Sequence, residues 1–201
     1  MQRFVCEQNI AHFQKLLETA EDETLRRTLL GLLSAAKREL ALLNSQISGA
    51  DLSPLGCRRP TGDIAVVLAQ FRASFDAPNR PYMLIDAGPG LTILDANDAF
   101  AHATLTVRDA IVGKPLFEVF PDNPAIDTAD GVSNIYNSLR TVVETGQPHA
   151  LAVQRYDVRN GDGVFVERYW QSINTPVRDA GGRLLCLLHN VEDVTAEVLA
   201  N

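Results

Sequence analysis

The chain has 201 residues, 46% hydrophobic and 21% charged, which is typical of a globular protein with one ordinary domain and an accessory element. The net charge of -7 lies entirely in residues 51–201, because residues 1–50 carry six basic and six acidic side chains. An acidic domain repels phosphate backbones and anionic lipids. We therefore expect neither nucleic-acid binding nor membrane binding.

Two further features bear on localisation. The apolar runs are too short to cross a bilayer, and the N-terminal residues show no secretory signal. The three cysteines, Cys6, Cys57 and Cys186, are odd in number and lie far apart without metal-like spacing. We therefore expect free thiols in a reducing, cytoplasmic compartment.

Residues 1–47 predict a helical hairpin. A capping-box pattern at Thr19 separates two segments with apolar side chains at helical spacing. The second segment carries an apolar seam at steps of three and four residues: Leu25, Leu29, Leu32, Ala36, Leu40, Leu43 and Ile47. A seam over about three heptads is typical of a coiled coil. The hairpin either packs on itself and its own domain or joins a dimerising bundle. We favour a hairpin whose remaining face pairs with a second copy in a homodimer.

Residues 48–62 predict a linker, because they are rich in Gly, Pro and Ser and show no periodicity. Residues 63–201 predict a single domain with alternating short elements. Its expected helices lie at about 63–75, 97–104, 107–112 and 131–145, and its expected strands at about 82–86, 91–95, 149–158, 164–175 and 183–194. Asp130 is expected to cap the long helix, and Gly146 to end it.

This order of elements resembles the PAS domain family, over about residues 63–197. The stretch LDANDAF contains the family's asparagine, Asn97, whose side chain caps the helix after the second strand. VRDAIVGKPLFEVF matches the family's pattern of helix, glycine and apolar landing. Asp193-Val194-Thr195 matches its closing motif, through which PAS domains pass strain into a following helix. The resemblance implies an α+β fold, with a five-stranded antiparallel sheet and short helices across one face.

The resemblance also implies a signalling role, with Asp193 and Thr195 as signal-relay residues. The chain is similar to PAS domains that precede bacterial sensor histidine kinases, but only six residues follow Thr195 and no phosphoacceptor helix is present. We therefore expect a non-enzymatic module of bacterial two-component regulation, unless the chain is a fragment of a longer kinase. It either senses a small ligand or acts as a ligand-free adaptor that docks a sensor histidine kinase in trans.

Known PAS cofactors can be compared with the sequence. Haem-binding members commonly use a histidine of the long helix, and residues 131–145 contain none, so we do not expect haem. Other histidines are expected to be surface or structural residues: His102, His149 and His189. The light-oxygen-voltage photocycle needs a cysteine just after the glycine of IVG, where this chain has Leu116. No cysteine lies between Cys57 and Cys186, so a cysteinyl-flavin photocycle is excluded.

The apolar side chains between the long helix and the sheet predict either a filled core or a cavity for a small apolar or amphipathic ligand. Tyr136 or Trp170 would be its polar handle. The candidate lining residues are Phe100, Leu116, Phe117, Phe120, Tyr136, Leu139, Val143 and Trp170. We predict no metal site, because the acidic cluster before the long helix lacks the order of an EF-hand loop. Its members are expected in turns and helix caps: Asp122, Asn123, Asp127 and Asp130.

Overall fold

The computed structural model describes residues 1–47, 61–75 and 80–200. The helices in these ranges are α1 (Gln2–Thr19), α2 (Glu23–Ile47), α3 (Thr61–Phe75), α4 (Asp98–Ala103), α5 (Arg108–Ile111), α6 (Leu116–Val119), α7 (Gly131–Thr145) and α8 (Thr195–Leu199). The strands are β1 (Tyr82–Ile85), β2 (Ile93–Ala96), β3 (His149–Ala150), β4 (Gln154–Arg155), β5 (Val158–Arg159), β6 (Phe165–Val166), β7 (Tyr169–Arg178) and β8 (Leu184–Asp193).

The main sheet is antiparallel, with the strand order β2-β1-β8-β7-β3, and β4 continues along β7 beside β3. The predicted α+β fold with a five-stranded antiparallel sheet is confirmed. The strand expected at 149–158 is broken into three short pieces, because its far end leaves β7 and pairs with β6 as β5. The long strands β7 and β8 form the centre of the sheet and hold the side chains of the site described below.

The sheet separates two apolar cores. On its inner face, helices α4 to α7 and the end of α2 bury side chains that include Ala41 and Leu139. On its outer face, Val67 and Phe71 of α3 pack against Leu185 of β8. Full burial of one such side chain stabilises the fold by about 1.5–3 kcal/mol, so both layers contribute to stability.

The predicted helical hairpin is present, with α1 packed along α2, and it also packs on its own domain. Near the start of α7, the Ser34 hydroxyl and the Arg38 guanidinium donate hydrogen bonds of 2.9 and 3.1 Å to the carbonyl oxygen of Ala129. Gly31 allows this approach, since a Cβ atom there would stand 3.2 Å from the Cβ of Asp127. A glycine inside a helix costs about 1 kcal/mol, which this close packing offsets.

The predicted seam of α2 does not form one continuous surface. Leu29 and Ala36 are buried, Leu40 and Leu43 are half-buried, whereas Leu25 and Leu32 are 48% and 46% exposed; the side chain of Ile47 lies outside the described residues. The helix turns its buried face toward α1 and α7, so its seam is divided between that contact and the solvent.

Two helix caps differ from the prediction. Asp22 rather than Thr19 caps α2, accepting a hydrogen bond of 3.0 Å from the backbone N–H of Leu25, because Thr19 still belongs to α1. Asp122 rather than Asp130 caps α7, accepting one of 3.0 Å from the second N–H of the helix. The chain folds back before α7, which brings this distant carboxylate to the helix start.

Three further expectations concern segments and thiols. The linker predicted at 48–62 lies outside the described residues, apart from Thr61 and Gly62, where α3 begins. Cys6 and Cys186 are buried, and neither forms a disulfide bond within the described residues, whereas Cys57 lies outside the described ranges. None of the helices described is both long enough and apolar enough to cross a membrane.

Candidate functional site

A cavity of about 50 Å³ lies between the inner face of the sheet and helices α4, α6 and α7. Its walls are mainly apolar, with Met83 of β1, Ile135 of α7 and Val191 of β8 among them. A cavity of this size has room for a few water molecules or one very small organic molecule. It is far below the roughly 300–1,000 Å³ of pockets that hold drug-sized ligands.

The structure brings five of the predicted lining residues together around this cavity: Phe100, Leu116, Phe117, Phe120 and Trp170. The other three, Tyr136, Leu139 and Val143, are buried in the core but do not line the cavity. All three lie on α7, which contributes Ile135 to the cavity wall instead. The predicted cavity therefore lies nearer to α4 and α6 than to the middle of the long helix.

Trp170, one of the two expected polar handles, is already paired. Its indole N–H donates a hydrogen bond of 2.8 Å to the carbonyl oxygen of Tyr156. The Tyr156 hydroxyl in turn donates to the carbonyl oxygen of Phe120. These two bonds lie at one end of the cavity and engage the Trp170 N–H and the Tyr156 O–H, so few hydrogen-bonding groups remain there for a ligand.

Two other polar groups of the wall lack partners. The Ser172 side-chain oxygen and the Gln154 side-chain nitrogen are buried, with no hydrogen-bond partner among the described residues. Ser172 is only 4% exposed, and the Gln154 carboxamide oxygen already accepts a 2.9 Å hydrogen bond from Asn134. An unsatisfied buried donor costs about 1–3 kcal/mol, so both groups favour a ligand that can accept a hydrogen bond.

A buried chain of hydrogen bonds, which we call the polar chain, leads away from the cavity. It consists of His189, Asn174, Ser138 and His149. His189 Nδ1 donates to Asn174 Oδ1 (2.7 Å), Asn174 Nδ2 donates to Ser138 Oγ (2.8 Å), and Ser138 Oγ bonds to His149 Nδ1 (2.8 Å). His189, Asn174 and His149 are register partners on neighbouring strands, and Ser138 of α7 covers them.

The histidine at the cavity end of the polar chain is neutral at physiological pH. His189 lines the cavity, with its ring set edge-on to Phe100 at 6.2 Å between ring centres. Burial lowers the pKa of His189 to about 4. Because Nδ1 donates its proton to Asn174, the other ring nitrogen, Nε2, carries the lone pair.

The sequence patterns did not predict Gln154, Ser172 and Asn174 as site residues, and His189 was expected to be a surface or structural residue. One signal was present. Along β7, Trp170, Ser172 and Asn174 occupy alternate buried positions, so two polar residues stand where apolar ones are expected on an inner face. Polar residues at buried positions of a strand indicate either a hydrogen-bond network or a site.

Asn97 caps α4 and also joins two neighbouring elements. Its side-chain oxygen accepts hydrogen bonds from the backbone N–H groups of Phe100 (2.9 Å) and Tyr82 (3.0 Å). Its side-chain nitrogen donates to the carbonyl oxygens of Phe75 (2.6 Å) and Arg80 (2.8 Å). One fully buried side chain therefore holds the end of α3, the start of β1 and the start of α4.

The Asp193-Val194-Thr195 motif forms a turn that joins β8 to α8. Asp193 accepts hydrogen bonds from both the backbone N–H and the hydroxyl of Thr195. The same hydroxyl oxygen accepts a 2.9 Å bond from the backbone N–H of Tyr169, and Arg168 lies 3.3 Å from the Asp193 carboxylate. The turn thus ties the start of α8 to the start of β7.

The acidic residues before α7 serve the local structure. Asp122 caps the helix, and Asn123 donates a 2.7 Å hydrogen bond to Asp157. Within the described ranges, no group of three or more His, Cys, Asp or Glu side chains is arranged to hold a metal ion.

Comparison with known proteins places this fold. Residues 78–199 match the family model described as the PAS fold, whereas no curated protein matches the sequence. The LOV protein of Rhodobacter sphaeroides is similar in structure, with a TM-score of 0.50, 16% identity, and coverage of 65% of this chain and 68% of that one. The PAS domain of a protein from Colwellia psychrerythraea gives a TM-score of 0.47, 16% identity, and coverage of 65% of this chain and 98% of that one.

A third similar structure is the PAS domain of the fruit-fly ELK potassium channel. It gives a TM-score of 0.45, 13% identity, and coverage of 68% of this chain and 99% of that one. At 16% identity, the similarity to the LOV protein shows a shared fold and nothing finer. Since the family match spans more than half of the residues and includes the whole sheet, the chain belongs to the PAS fold family, whose domains generally act as sensory and signalling modules.

Proposed function

We propose that this protein is a ligand sensor of bacterial two-component regulation, in which the cavity binds a small amphipathic molecule. The observation that carries this proposal is the pair of buried, unpartnered groups on an otherwise apolar wall, Ser172 Oγ and Gln154 Nε2. Leaving them unpaired costs stability, and a ligand that pairs with both recovers that cost. The apolar wall adds affinity for the rest of the molecule.

A signal requires the ligand to favour one arrangement of the flanking elements over another. Side-chain contacts tie helices to the sheet at two places. At one end, Arg72 of α3 and Arg108 of α5 both pair with the buried carboxylate of Asp95 on β2, at 2.8 and 2.9 Å. At the other end, the turn at Asp193 and Thr195 joins α8 to β7. We propose these two attachments as the signal-relay points, with Asp193 and Thr195 as the output end.

The proposal that the cavity binds the ligand can be tested by a substitution that reduces the volume of the cavity. Ser172→Val removes the unpartnered hydroxyl and adds apolar volume on a strand that suits a β-branched side chain. We expect the variant to be more stable by about 1 kcal/mol, because a buried unsatisfied group is replaced by apolar packing. We also expect it to lose binding of n-propanol, followed in the wild type by NMR of the Ile135 and Val191 methyl groups.

Gln171→Val is the matched control, because it lies next to Ser172 on the same strand but on the opposite face of the sheet. It should leave the n-propanol titration unchanged. Native mass spectrometry of the purified wild type, compared with its denatured mass, would reveal a retained natural ligand. If Ser172→Val binds the probe as the wild type does, the cavity is not the binding site.

The exposed leucines of the hairpin support a second proposal, that α2 also mediates homodimerisation. Leu25 and Leu32 lie about two turns apart on one side of α2 and are each nearly half exposed, although the other face of α2 is buried against α1 and α7. Exposed apolar clusters of this kind often mark interaction surfaces. A ligand-free adaptor that docks a sensor histidine kinase is the alternative, since the same leucines would suit another helix.

Leu32→Asp is expected to lower the oligomeric state from dimer to monomer, as measured by light scattering. Leu32 is exposed, so the substitution should leave the thermal unfolding midpoint almost unchanged, unlike a substitution of the half-buried Leu40. Arg27→Gln changes the net charge by the same amount on an exposed residue of the opposite helix face, and should keep the wild-type mass. An unchanged mass of Leu32→Asp would refute this dimer surface.

A further inference from the structure

The polar chain can carry its hydrogen bonds in two opposite directions, which are exchanged when the Asn174 carboxamide turns over and its oxygen and nitrogen trade places. In the first direction, donation runs from His189 through Asn174 and Ser138 to Nδ1 of His149. If the Asn174 carboxamide turns over, its nitrogen donates to His189 Nδ1 and its oxygen accepts from Ser138. The Ser138 oxygen then accepts from a proton on His149 Nδ1. The distances of 2.7 and 2.8 Å suit both directions, and every buried group stays paired in each.

The two directions differ at the cavity. In the first direction, Nε2 of the cavity-lining His189 carries a lone pair; in the reversed direction, it carries a proton. The other two polar groups of the wall, Ser172 Oγ and Gln154 Nε2, have no hydrogen-bond partner among the described residues, and both can donate. A ligand that accepts from both therefore meets the lone pair of His189 in one direction and a third donor in the other.

Given the proposed sensory role of the cavity, we propose that its ligand carries a hydrogen-bond-accepting carbonyl or carboxylic oxygen on a short apolar body, and that binding reverses the polar chain from His189 to His149. The cavity of about 50 Å³ suits a body of few non-hydrogen atoms. An oxygen acceptor without a proton can bond to His189 Nε2 only in the reversed direction, whereas an alcohol proton can bond to the His189 lone pair without any reversal.

The reversal conserves the number of protons on the protein. His189 loses the proton on Nδ1 and gains one on Nε2, with water in the cavity as the carrier. His149 loses the proton on Nε2 and gains one on Nδ1 by exchange with solvent. This exchange is open to His149 because it is only half-buried and lines an open groove of about 470 Å³ between α7 and the edge of the sheet.

A change of tautomer at His189, the inner end of the polar chain, is therefore accompanied by a change of tautomer at His149, its outer end. His149 shares the groove with Asn134, Asn137 and Thr141 of α7, so its change from acceptor to donor alters the hydrogen bonds offered on that surface. The ligand shifts the equilibrium only by its difference in affinity for the two directions. By linkage, any contact in the groove that favours a proton on His149 Nδ1 must strengthen ligand binding by the same factor.

The test uses long-range ¹H–¹⁵N NMR spectra of the full chain, which identify the protonated nitrogen of each imidazole. The probes are acetone, which only accepts hydrogen bonds, and n-propanol, which also donates. In the free protein we expect the proton of His189 on Nδ1 and that of His149 on Nε2. Acetone should move both protons to the other nitrogens, whereas n-propanol should bind and move neither. Gln154→Leu should weaken acetone binding about tenfold, as expected for one lost hydrogen bond.

The outcomes separate this coupling from the sensory role itself. Acetone binding, seen at the Val191 and Ile135 methyl groups, with no change at His149 would overturn the coupling and leave the sensor intact. Binding of n-propanol without acetone would overturn the ligand class. If neither probe binds, both the proposed sensory role of the cavity and the reversal of the polar chain are contradicted. Asn174→Leu interrupts the polar chain, so acetone should then leave the His149 tautomer unchanged; the wild-type tautomers decide the matter if this variant does not fold.

Discussion

Asn97→Ala is expected to lower the free energy of unfolding by about 4 kcal/mol, as measured by urea denaturation. The side chain is fully buried and makes four hydrogen bonds, to the backbone of Phe75, Arg80, Tyr82 and Phe100. Alanine removes all of them and leaves two backbone N–H groups without their acceptor. For a chain of this length the unfolding midpoint should fall by roughly 10 °C.

Asp98→Asn is the matched control for this prediction, because the Asp98 side chain is 88% exposed and directly follows Asn97. Its effect should stay within about 0.5 kcal/mol, the usual range for surface substitutions. Asn97→Asp should fall between the two, since the carboxylate keeps the accepted bonds but cannot donate. A loss below about 1 kcal/mol for Asn97→Ala would show that water replaces this side chain, and that Asn97 does not hold the three elements together.

Lowering the pH from about 6.5 to about 4 is expected to remove about 3 kcal/mol of stability through His189 alone. Burial lowers the pKa of His189 from 6.5 to about 4, so the unfolded chain binds more protons than the folded protein between these values. The contribution is therefore fully present above the unfolded pKa and is lost as the pH falls toward the folded pKa. Below about pH 4 both states are protonated, and no further loss from this group follows.

The variant His189→Asn isolates this effect, since an asparagine nitrogen can occupy the place of Nδ1 and donate to Asn174, but does not titrate. Its free energy of unfolding should fall less steeply between pH 6.5 and 4 than that of the wild type. Burial raises the pKa of Asp122, which acts in the opposite direction and stabilises the fold as the pH falls. That term is common to both proteins and cancels in the difference. Parallel pH profiles would contradict the neutral, buried His189.

These two predictions concern neighbouring parts of the fold, because the backbone N–H of Phe100 bonds to Asn97 and the Phe100 ring lies 6.2 Å from that of His189. Asn97 secures the junction of α3 with the sheet, beside the Arg72–Asp95–Arg108 cluster. Burial disfavours the charged form of Asp95, but the hydrogen bonds from Arg108 and Arg72 outweigh it, and the pKa of Asp95 is lowered. The carboxylate is therefore charged at physiological pH and can hold both arginines. Asn97 and Asp95 therefore both connect α3 to the sheet.

Local patterns in the sequence were sufficient for most of the secondary structure. The apolar spacing in residues 131–145 predicted α7 with its observed bounds, and Gly146 ends it in the left-handed conformation, at a φ of 68°. The strands β1 and β2 and the helices α4 and α5 also lie where their patterns place them. Helical and strand periodicities, and glycine at a positive φ, depend on neighbours in the chain, so a single sequence contains this information.

The tertiary structure alone decided which residues meet. The sequence determined that α2 has an apolar stripe, but only packing against α1 and α7 divided it into buried Leu29 and exposed Leu32. Likewise, Asp122 rather than Asp130 caps α7, because the fold brings a distant carboxylate to the helix start.

The candidate site shows most clearly the difference between what local sequence patterns predict and what tertiary packing sets. Five apolar lining residues could be predicted, because large side chains on inner faces must be buried somewhere. The polar chain could not, since His149, Asn174 and His189 come from three strands whose register places them side by side, and Ser138 comes from a helix that crosses them. Hydrogen bonds between residues far apart in sequence depend on this register, which no local pattern contains. Local sequence patterns therefore predict a PAS-like fold with an apolar interior, whereas the packing of strands and helices selects the polar groups that face its cavity.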